Sequence, residues 1–430
     1  FVNGLFEAHR NRAPVVLIAT QVVTAEMGMD FPQEVDLKPI YDTCSHFCSY
    51  IHHPAQARRV TALAAQAALN RRGAAAIIVP GDISSAEVEE GLAFRPHVPT
   101  PVLRPSDAEL DAMAERINAG KRVTVYCGSG CEGAHDEVVA LAERIQAPVA
   151  HTSRAKDFIE PHNPYNVGMT GIIGEPSGFR AIDACDTLLL LGADFAWSQF
   201  YPHEATLIQV DSDATHLGRR HPVDLGVVGH VRETLQALLP RLHPREDHAF
   251  LRNSLRVRAD TRGREQGEEH AGHDGLIHPQ YLTALIDRHA DDDAVFTADG
   301  GSPMVWLLRH VRSNGRRRTL TSLVHGTMAN AMPSALGIKK ALPQRQVIAL
   351  CGDGGLAMLL GDLLTAVQES IPIKVVVYNN GSLGFVEMEQ KVEGLLDAYT
   401  DLKNPDFARL ADAMGIYGRR VEGADTLEEA

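Results

Sequence analysis

The sequence is poor in cysteine, short of positive charge and free of long apolar runs. Six cysteines among 430 residues exclude a disulfide scaffold, so a reducing, cytoplasmic compartment is expected. Lys and Arg number 41 against 55 Asp and Glu, and the resulting net charge of −14 disfavours a nucleic-acid partner. The three-arginine run Arg316–Arg318 follows Gly315 and is predicted to be a solvated loop. No segment approaches the ~18 apolar residues of a membrane-spanning helix.

Apolar runs alternate with helical patterns along the whole chain, which is typical of parallel sheets covered by helices on both faces. Prolines between residues 96 and 105 indicate a linker, and polar sequence from 241 to 274 indicates a second boundary. The sequence therefore predicts an α/β protein of three consecutive doubly wound parallel-sheet domains. Their predicted bounds are 1–95, 106–240 and 275–430.

Both ends of the chain resemble interrupted α/β units. Phe1–Arg10 has the pattern of the tail of a helix, and Thr426–Ala430 has that of a capped helix start. We therefore expect the first domain to be truncated at its N-terminus and the third at its C-terminus.

The strongest motif is a strand, a glycine turn, a helix, a second strand and an asparagine pair. The strand Val347–Gly352 leads into Asp353, Gly354 and Gly355, and a second strand ends at Asn379 and Asn380. Parallel strands joined by a right-handed crossover end at the same sheet edge, so Asp353 and Asn380 should meet there. Carboxylate and amide oxygens suit Mg²⁺, and the glycines let backbone N–H groups approach a phosphate. The motif predicts a Mg²⁺-bound diphosphate; the alternative is a helix-capping Asp and an unrelated turn.

A second nucleotide motif follows the strand Arg122–Cys127. Gly128, Ser129 and Gly130 begin a G-x-G-x-x-G run that is predicted to open a helix. No acidic residue lies about 20 positions further on, unlike in the NAD pattern, but Asp211 ends a later strand where a ribose could reach it. The alternative is a loop of this shape that binds no nucleotide.

These motifs resemble those of the pyruvate oxidase family of thiamine-diphosphate enzymes, and most closely its quinone-dependent pyruvate dehydrogenases. The central likeness is Gly-Asp-Gly followed after about 25 residues by Asn-Asn, and it extends over essentially the whole chain. Further similar runs are Phe1–Phe6, Cys127–Cys131, Asn166–Gly171, Phe200–Pro202, His325–Pro333 and Leu383–Val386.

The resemblance implies specific contacts to thiamine diphosphate. Asp353, Asn380 and the backbone carbonyl of Ser382 would bind Mg²⁺. The carbonyl of Gly326 would accept a hydrogen bond from the cofactor's amine, and Met328 would support its bent conformation. Phe385 and Val386 would form an apolar wall beside the reacting carbon. Glu389 would be an acid next to them, and these residues would be catalytic. The remaining cofactor contacts would be Thr327, Gly354, Gly355, Gly381, Leu383 and Gly384.

In this family the middle domain holds FAD. The resemblance therefore assigns a flavin site to three loops of that domain and to one strand end. The implied residues are Gly128, Ser129, Gly130, Gly171, Ile172, Ile173, Gly174, Asp194, Phe195, Ala196, Trp197, Ser198 and Asp211.

The implied activity is oxidative decarboxylation of pyruvate to acetate and carbon dioxide, with electrons passing through FAD to a quinone. The alternatives are an acetolactate synthase-type carboligase with a flavin that does no redox work, a phosphate- and oxygen-dependent pyruvate oxidase, and a fragment without turnover. The family forms homodimers or homotetramers. The protein is expected in the cytoplasm, bound peripherally to the inner face of the membrane. In the family this contact is made by a C-terminal segment, which is expected to lie beyond residue 430.

Two features depart from the family pattern. The glutamate that activates thiamine diphosphate would lie upstream of Phe1, so the chain as given is not expected to turn over. Pro32 stands where the family has a phenylalanine that lines a neighbouring subunit's substrate pocket. Phe31, one position earlier, could serve in its place.

Overall fold

The computed structural model describes residues 1–267, 276–427 and 429. The chain forms two compact units. The first contains residues 1–101 together with the segment 322–327, and the second contains 102–321 and 328–430. No helix among these described residues is both long and apolar enough to cross a membrane.

The first unit is built on a three-stranded parallel sheet with helices on both faces. Its strands are β1 (Val15–Gln21), β2 (Cys48–Tyr50) and β3 (Ala74–Pro80), and its helices are α1 (Val2–Arg10), α2 (Leu37–Asp42), α3 (Ala57–Arg71) and α4 (Gly81–Ser84). The strand order is β1-β3-β2. The central strand β3 is a continuous apolar run because side chains on both of its faces are buried.

The second unit begins with a six-stranded parallel sheet. Its strands are β4 (Val123–Cys127), β5 (Val149–His151), β6 (Asn166–Met169), β7 (Thr187–Leu191), β8 (Thr206–Asp211) and β9 (Leu225–Val228). Its helices are α5 (Asp107–Ala119), α6 (His135–Ile145), α7 (Lys156–Ile159), α8 (Pro176–Asp183), α9 (Val231–Leu238) and α10 (Ala249–Gly267). The strand order β6-β5-β4-β7-β8-β9 is that of dinucleotide-binding α/β domains.

A four-stranded parallel sheet follows in the same unit, in the order β11-β10-β12-β13. Its strands are β10 (Val295–Ala298), β11 (Arg318–Thr321), β12 (Val347–Gly352) and β13 (Lys374–Tyr378). Its helices are α11 (Pro279–His289), α12 (Ser302–His310), α13 (Ala331–Ala341), α14 (Asp353–Met358), α15 (Leu363–Gln368), α16 (Gly384–Val392) and α17 (Phe407–Ala413). Separate apolar clusters cover the two faces of each of the three sheets. The predicted fold class, α/β with doubly wound parallel sheets, is confirmed.

Arg316 is exposed outside any strand, as the sequence predicts, but the rest of the three-arginine run is not a solvated loop. Arg318 begins strand β11, and Arg317 is 6% exposed. The guanidinium of Arg317 donates to Oδ1 of the buried Asp287 at 2.6 Å and to the carbonyl of Ala290 at 2.7 Å. A buried carboxylate needs a counterion, which draws this arginine inward.

The polar sequence after residue 240 contains helix α10, which packs against α8 of the middle sheet. Residues Leu251 and Arg258 of this helix are buried. The arginine forms ion pairs with the buried acids Glu160 and Glu175. Residues 268–275, within the stretch where the sequence places the second boundary, lie outside the described residues.

Candidate functional site

Two acidic residues lie where the strand order of the four-stranded sheet reverses. The chain leaves β10 for β11 on one side and returns to β12 on the other, so the ends of β10 and β12 border a crevice. Asp299 follows β10 and Asp353 follows β12. Open α/β sheets bind ligands at this position.

Asp353 is 3% exposed and is surrounded by hydrogen-bond donors. Its Oδ1 accepts from the backbone N–H of Gly354 at 2.9 Å. Its Oδ2 accepts from the backbone N–H of Gly381 at 2.8 Å and from the side-chain amide of Asn404 at 2.7 Å. These bonds stabilise the ionised carboxylate and join three loops at the sheet edge.

Asn404 was not foreseen, and it also organises the predicted asparagine pair. Its amide donates to Oδ1 of Asn379 at 2.8 Å, while Oδ1 of Asn380 accepts from the backbone N–H of Ser382 at 3.2 Å. The Asn404 amide thus links Asn379, at the end of β13, to Asp353, and the predicted metal ligand Asn380 is the next residue. No pattern in the sequence around Asn404 points to this role.

The loop after β13 is held in place by the segment 400–402. Leu383 donates its backbone N–H to the carbonyl of Thr400, and Leu402 donates to the carbonyl of Gly381, both at 2.8 Å. Gly381 has a φ of +66°, a left-handed conformation that favours glycine. The loop that would carry the metal-binding carbonyl is therefore fixed at both ends.

Gly354 packs against the ends of three flexible side chains. A Cβ on this residue would lie 2.9 Å from Cδ2 of Leu383, 3.2 Å from Cδ1 of Leu402 and 3.4 Å from Cε of Met328. The predicted cofactor support Met328 therefore borders the Gly-Asp-Gly turn.

Asp299 is a site residue that the sequence analysis missed. It is 1% exposed, and its carboxylate accepts from the backbone N–H groups of Ala331 at 2.8 Å and Gly352 at 3.1 Å. Burial raises the pKa of Asp299. A signal was present, because Asp299-Gly-Gly after β10 repeats the Asp353-Gly-Gly pattern after β12.

Helix α16 carries the residues expected beside the reacting carbon. Phe385 is half-buried, whereas Val386 is 42% exposed and Glu389 is exposed. A neighbouring acid that the sequence analysis did not single out, Glu387, accepts from the hydroxyl of Ser382 at 2.9 Å. Hydrogen bonds from Lys391 and then Ser382 lower the pKa of Glu387.

Gly326 and Thr327 belong to the first unit, where helix α1 holds their loop. The side-chain amide of Asn3 donates to Oγ1 of Thr327, and its carbonyl oxygen bonds to Nε2 of His325, both at 3.0 Å. The N–H of Thr327 donates to Oγ of Ser322 at 2.9 Å. Gly326 has a φ of +75°. The loop with the predicted pyrimidine-binding carbonyl is thus anchored to the run that begins at Phe1.

The hydroxyl of Ser322 in turn donates to the carboxylate of Glu7 on α1. Elsewhere in this unit, Phe31 is 43% exposed in a turn in which Oε2 of Glu34 accepts the Phe31 N–H at 3.3 Å. Pro32 follows within the same turn, so the departure from the family pattern lies on the surface of the first unit.

The residues around Asp353 fit Mg²⁺ and a diphosphate. Among the described residues no three His, Cys, Asp or Glu side chains gather at metal-binding distance. A Mg²⁺ here would take a single protein carboxylate, Asp353, with other oxygens from Asn380, the Ser382 backbone and a phosphate. That ligand set is typical of magnesium, which retains oxygen ligands from substrates.

The middle sheet places its glycine motif at its own switch point, between β4 and β7. The N–H of Gly130 donates to the carbonyl of Gly192 at 3.0 Å, and a Cβ on Gly128 would lie 2.2 Å from that oxygen. The predicted helix does not open in this run: residues 129–131 form a 3₁₀ turn and α6 begins at His135. Contact between the two loops alone accounts for these glycines.

The structure brings the Gly171–Gly174 loop against the loop after β7. Gly171 has a φ of +123°, and a Cβ there would lie 3.4 Å from Cε2 of Phe195 and 3.8 Å from Cε3 of Trp197. Ile172 is 56% exposed and Trp197 is 40% exposed beside this turn. Ile173 is half-buried. Ala196 and Ser198, after β7, and Ser129, after β4, are the other predicted positions here, and all three are exposed at the same sheet edge.

Asp194 is held between two arginines that the sequence analysis did not include. Its carboxylate accepts from Nε of Arg219 and Nε of Arg220, each at 2.9 Å. Although partial burial opposes ionisation, these two cations hold the pKa of Asp194 well below its usual range. Asp194 is therefore an ionised anchor for the arginine loop.

Asp211 ends β8 and is 7% exposed. Its Oδ1 accepts from the N–H of Asp213 at 2.9 Å and lies 3.2 Å from Nδ1 of His216. Both contacts use the same oxygen, so Oδ2 is the atom that a ribose hydroxyl would approach.

The middle site fits a flavin dinucleotide. Its strand order and switch point are those of dinucleotide-binding domains. The Gly171 turn offers an exposed apolar surface at Ile172 and Trp197 that suits a flat ring, and Asp211 offers an acceptor for a ribose. The three features lie at one edge of the sheet.

Two family models match parts of the chain. Residues 110–238 match the description "Thiamine pyrophosphate enzyme, central domain", and residues 299–430 match "Thiamine pyrophosphate enzyme, C-terminal TPP binding domain". Over 434 residues the chain is 32% identical to YdaP of Bacillus subtilis, described as thiamine pyrophosphate-containing, covering 100% of this chain and 75% of that protein.

Two enzymes of known name are similarly related. Pyruvate oxidase of Lactiplantibacillus plantarum is 27% identical over 439 residues, covering 100% of this chain and 72% of that enzyme. Acetolactate synthase of Arthrospira platensis is 31% identical over 442 residues, covering 98% of this chain and 76% of that enzyme.

Proposed function

Since the chain belongs to the thiamine pyrophosphate enzyme family, we propose that it binds thiamine diphosphate through Mg²⁺ and catalyses oxidative decarboxylation of pyruvate. Pyruvate and water would be converted to acetate and carbon dioxide, and the two electrons released would reduce FAD and then a quinone. The observation that carries the proposal is the buried carboxylate of Asp353, joined by three hydrogen bonds to the loops at the switch point.

Different residues would bind the metal ion and the thiamine cofactor. Asp353, Asn380 and the Ser382 carbonyl would hold Mg²⁺ on the diphosphate, and Met328 would support the bound cofactor. When bound, thiamine diphosphate supplies an electron sink for the charge left by loss of carbon dioxide. Fixed loops at this site keep the ligand oxygens in position before the reaction, which lowers the reorganisation that catalysis requires.

The apolar side chains of Phe385 and Val386 would exclude water from the reacting carbon. A dry surface disfavours the charged carboxylate of the substrate and delays protonation after its loss. Glu389, exposed on the same helix, is the acid assigned to move a proton. By keeping water away, Phe385 and Val386 would favour transfer of electrons to a bound flavin over protonation.

FAD would occupy the middle site, with Asp211 toward its ribose and the Gly171–Gly174 loop beside its ring. The oxidase assignment is supported by the runs Phe200–Pro202 and Leu383–Val386, which follow the oxidase pattern. We place the protein in the cytoplasm, peripheral on the inner face of the membrane where its quinone acceptor resides.

A carboligase of the acetolactate synthase type is the second candidate. The acetolactate synthase of Arthrospira platensis is slightly more identical to the chain than the pyruvate oxidase is, at 31% against 27%. In that case FAD would remain oxidised throughout turnover. The two candidates therefore differ in one optical measurement.

Pyruvate added anaerobically to the full-length protein is expected to bleach the flavin absorbance, and an added quinone is expected to restore it. The reason is that electrons left on the thiamine cofactor have the adjoining flavin as their nearest acceptor. Absorbance near the flavin maximum, followed in stopped flow, measures both steps.

The matched control for this assay is Asp353→Asn, which should leave the flavin oxidised because thiamine diphosphate is not held. Release of acetolactate while the wild-type flavin stays oxidised would replace the oxidase proposal with the carboligase. Bleaching that oxygen and phosphate reverse, while quinone does not, would favour the phosphate-dependent oxidase.

We also propose that the protein is a homodimer or homotetramer. Helix α16 buries none of its residues, and large apolar side chains on this helix and after it are exposed. Apolar surface of this extent on a globular protein commonly marks an interface. These side chains are Val386, Met388, Val392, Leu395, Leu396 and Tyr399, the last of which is fully exposed.

Replacing Leu396 by Asp is expected to shift the full-length protein toward monomer and to weaken thiamine diphosphate binding together. The charge would oppose burial of a side chain that is 90% exposed in the single chain. Light scattering across a concentration series measures the assembly. Tyr417→Asp alters another exposed aromatic, at 83%, and serves as the control. A cofactor-loaded, active monomer of the wild type would contradict the proposal.

A further inference from the structure

The middle and third sheets of the second unit are joined by specific polar contacts. Asp157 on α7 accepts from the backbone N–H of Thr319 at 2.6 Å and from its hydroxyl at 2.8 Å. Lys156 donates to the hydroxyl of Ser313 at 3.1 Å. The two candidate cofactor sites of this unit are therefore held at a fixed distance.

Helix α12 runs from one of these sites to the other. At its first turn, Pro303 borders the Gly-Asp-Gly motif, since a Cβ on Gly352 would lie 3.6 Å from Cγ of Pro303. In its last turn, Nη2 of Arg309 donates to the carbonyl of Gly174 at 2.6 Å. The nine-residue helix spans about 13 Å, a short link between two ligand sites.

Arg309 has a further donor that meets no acceptor. Its Nε atom is buried and has no hydrogen-bond partner within the described part of the chain. A buried donor without a partner is destabilising, and native structures rarely leave one unsatisfied. A bound ligand at the Gly171–Gly174 loop would supply the acceptor.

Thr170 makes an independent observation at the same loop. It is 3% exposed, and its Oγ1 is also buried without a hydrogen-bond partner in the described residues. It lies against Gly174, because a Cβ on that glycine would be 2.5 Å from Cα of Thr170. Two unsatisfied polar groups, from two different domains, thus border one loop.

We propose that Arg309, from the third domain, completes the FAD site of the middle domain, together with Thr170. The ligand class is a flavin dinucleotide, whose phosphate oxygens and ring carbonyls are acceptors for a guanidinium and a hydroxyl. This inference rests on the proposed function, in which the middle domain binds FAD. It adds that the flavin site draws on both domains, so α12 positions the flavin relative to the Gly-Asp-Gly motif.

The test is FAD binding by the full-length apoprotein, followed by quenching of flavin fluorescence. Arg309→Met is expected to weaken FAD at least tenfold, and Thr170→Val about threefold. Arg309→Lys keeps a cation that can reach the Gly174 carbonyl but lacks Nε, so it should fall between the wild type and Arg309→Met. The control Arg312→Met removes an exposed arginine three residues away that pairs with Asp287 and should leave FAD affinity within twofold.

Thiamine diphosphate affinity, measured in the same variants, separates a flavin contact from a general structural role. Unchanged thiamine diphosphate binding with weakened FAD in Arg309→Met supports the inference. Wild-type FAD affinity in both Arg309→Met and Thr170→Val overturns the inference. An equal loss of both cofactors in these variants also overturns it. Either result leaves the proposed function standing. Failure of the wild type itself to bind FAD overturns the flavin part of the proposed function.

Discussion

Replacing Asp353 by Asn is expected to weaken Mg²⁺-dependent binding of thiamine diphosphate at least tenfold, or about 1.4 kcal/mol, and to abolish turnover. The change removes the only acidic side chain among the proposed metal ligands. In the wild type, the Gly354 N–H, the Gly381 N–H and the Asn404 amide all donate to the carboxylate. An asparagine at position 353 would place its NH₂ group, itself a donor, against the donors at one of the two oxygen positions. Calorimetric titration with cofactor and Mg²⁺ measures the effect.

Asp292→Asn is the matched control, because Asp292 is an exposed aspartate of the same sheet domain before β10. It makes the same change in charge away from the crevice and should bind cofactor as the wild type does. Wild-type affinity in Asp353→Asn would contradict the site assignment. Far-UV circular dichroism of the variant checks that its fold is retained.

Gly355→Ala is expected to destabilise the protein by about 3 kcal/mol, an overpacking effect at the upper end of its usual range. The new Cβ would lie 2.2 Å from Oδ2 of Asp299 and 3.3 Å from the backbone nitrogen of Ala329. Neither atom can move freely, because the carboxylate is buried and hydrogen-bonded to two backbone N–H groups. Denaturant unfolding measures the change.

The control substitution Gly337→Ala has the opposite expected sign. Gly337 lies within helix α13, and a Cβ there would meet nothing within 4 Å. Removing a helix-interior glycine is expected to stabilise by about 0.5–1 kcal/mol. If both variants are equally stable, the close packing of Gly355 against Asp299 is not a determinant of stability.

Parallel-sheet organisation could be predicted because its signals are local. A fully buried strand such as β7 is a continuous apolar run, and strand ends place their neighbours at one edge by topology. For this reason Asp353 and the asparagine pair could be brought together from sequence alone. The family resemblance then supplied roles for residues such as Met328.

Long-range polar partners could not be predicted in this way. Asn404 reaches Asp353 across 51 residues, and its segment carries no pattern that points to the site. Arg317 was expected in solvent because its run is charged, yet the buried carboxylate of Asp287 decides its position. Asp299 could have been predicted, because the Asp-Gly-Gly run at 299–301 repeats the one at 353–355.

The anchoring of the loop at Gly326 to helix α1 bears on how the chain folds during synthesis. Asn3 and Thr327 are 324 positions apart, yet they belong to the same compact unit. About 220 residues separate Pro101 from Ser322, so at roughly 5–20 residues per second the ribosome needs on the order of 10–40 s to supply the missing segment. The first unit therefore cannot be completed until the segment 322–327 has been synthesised.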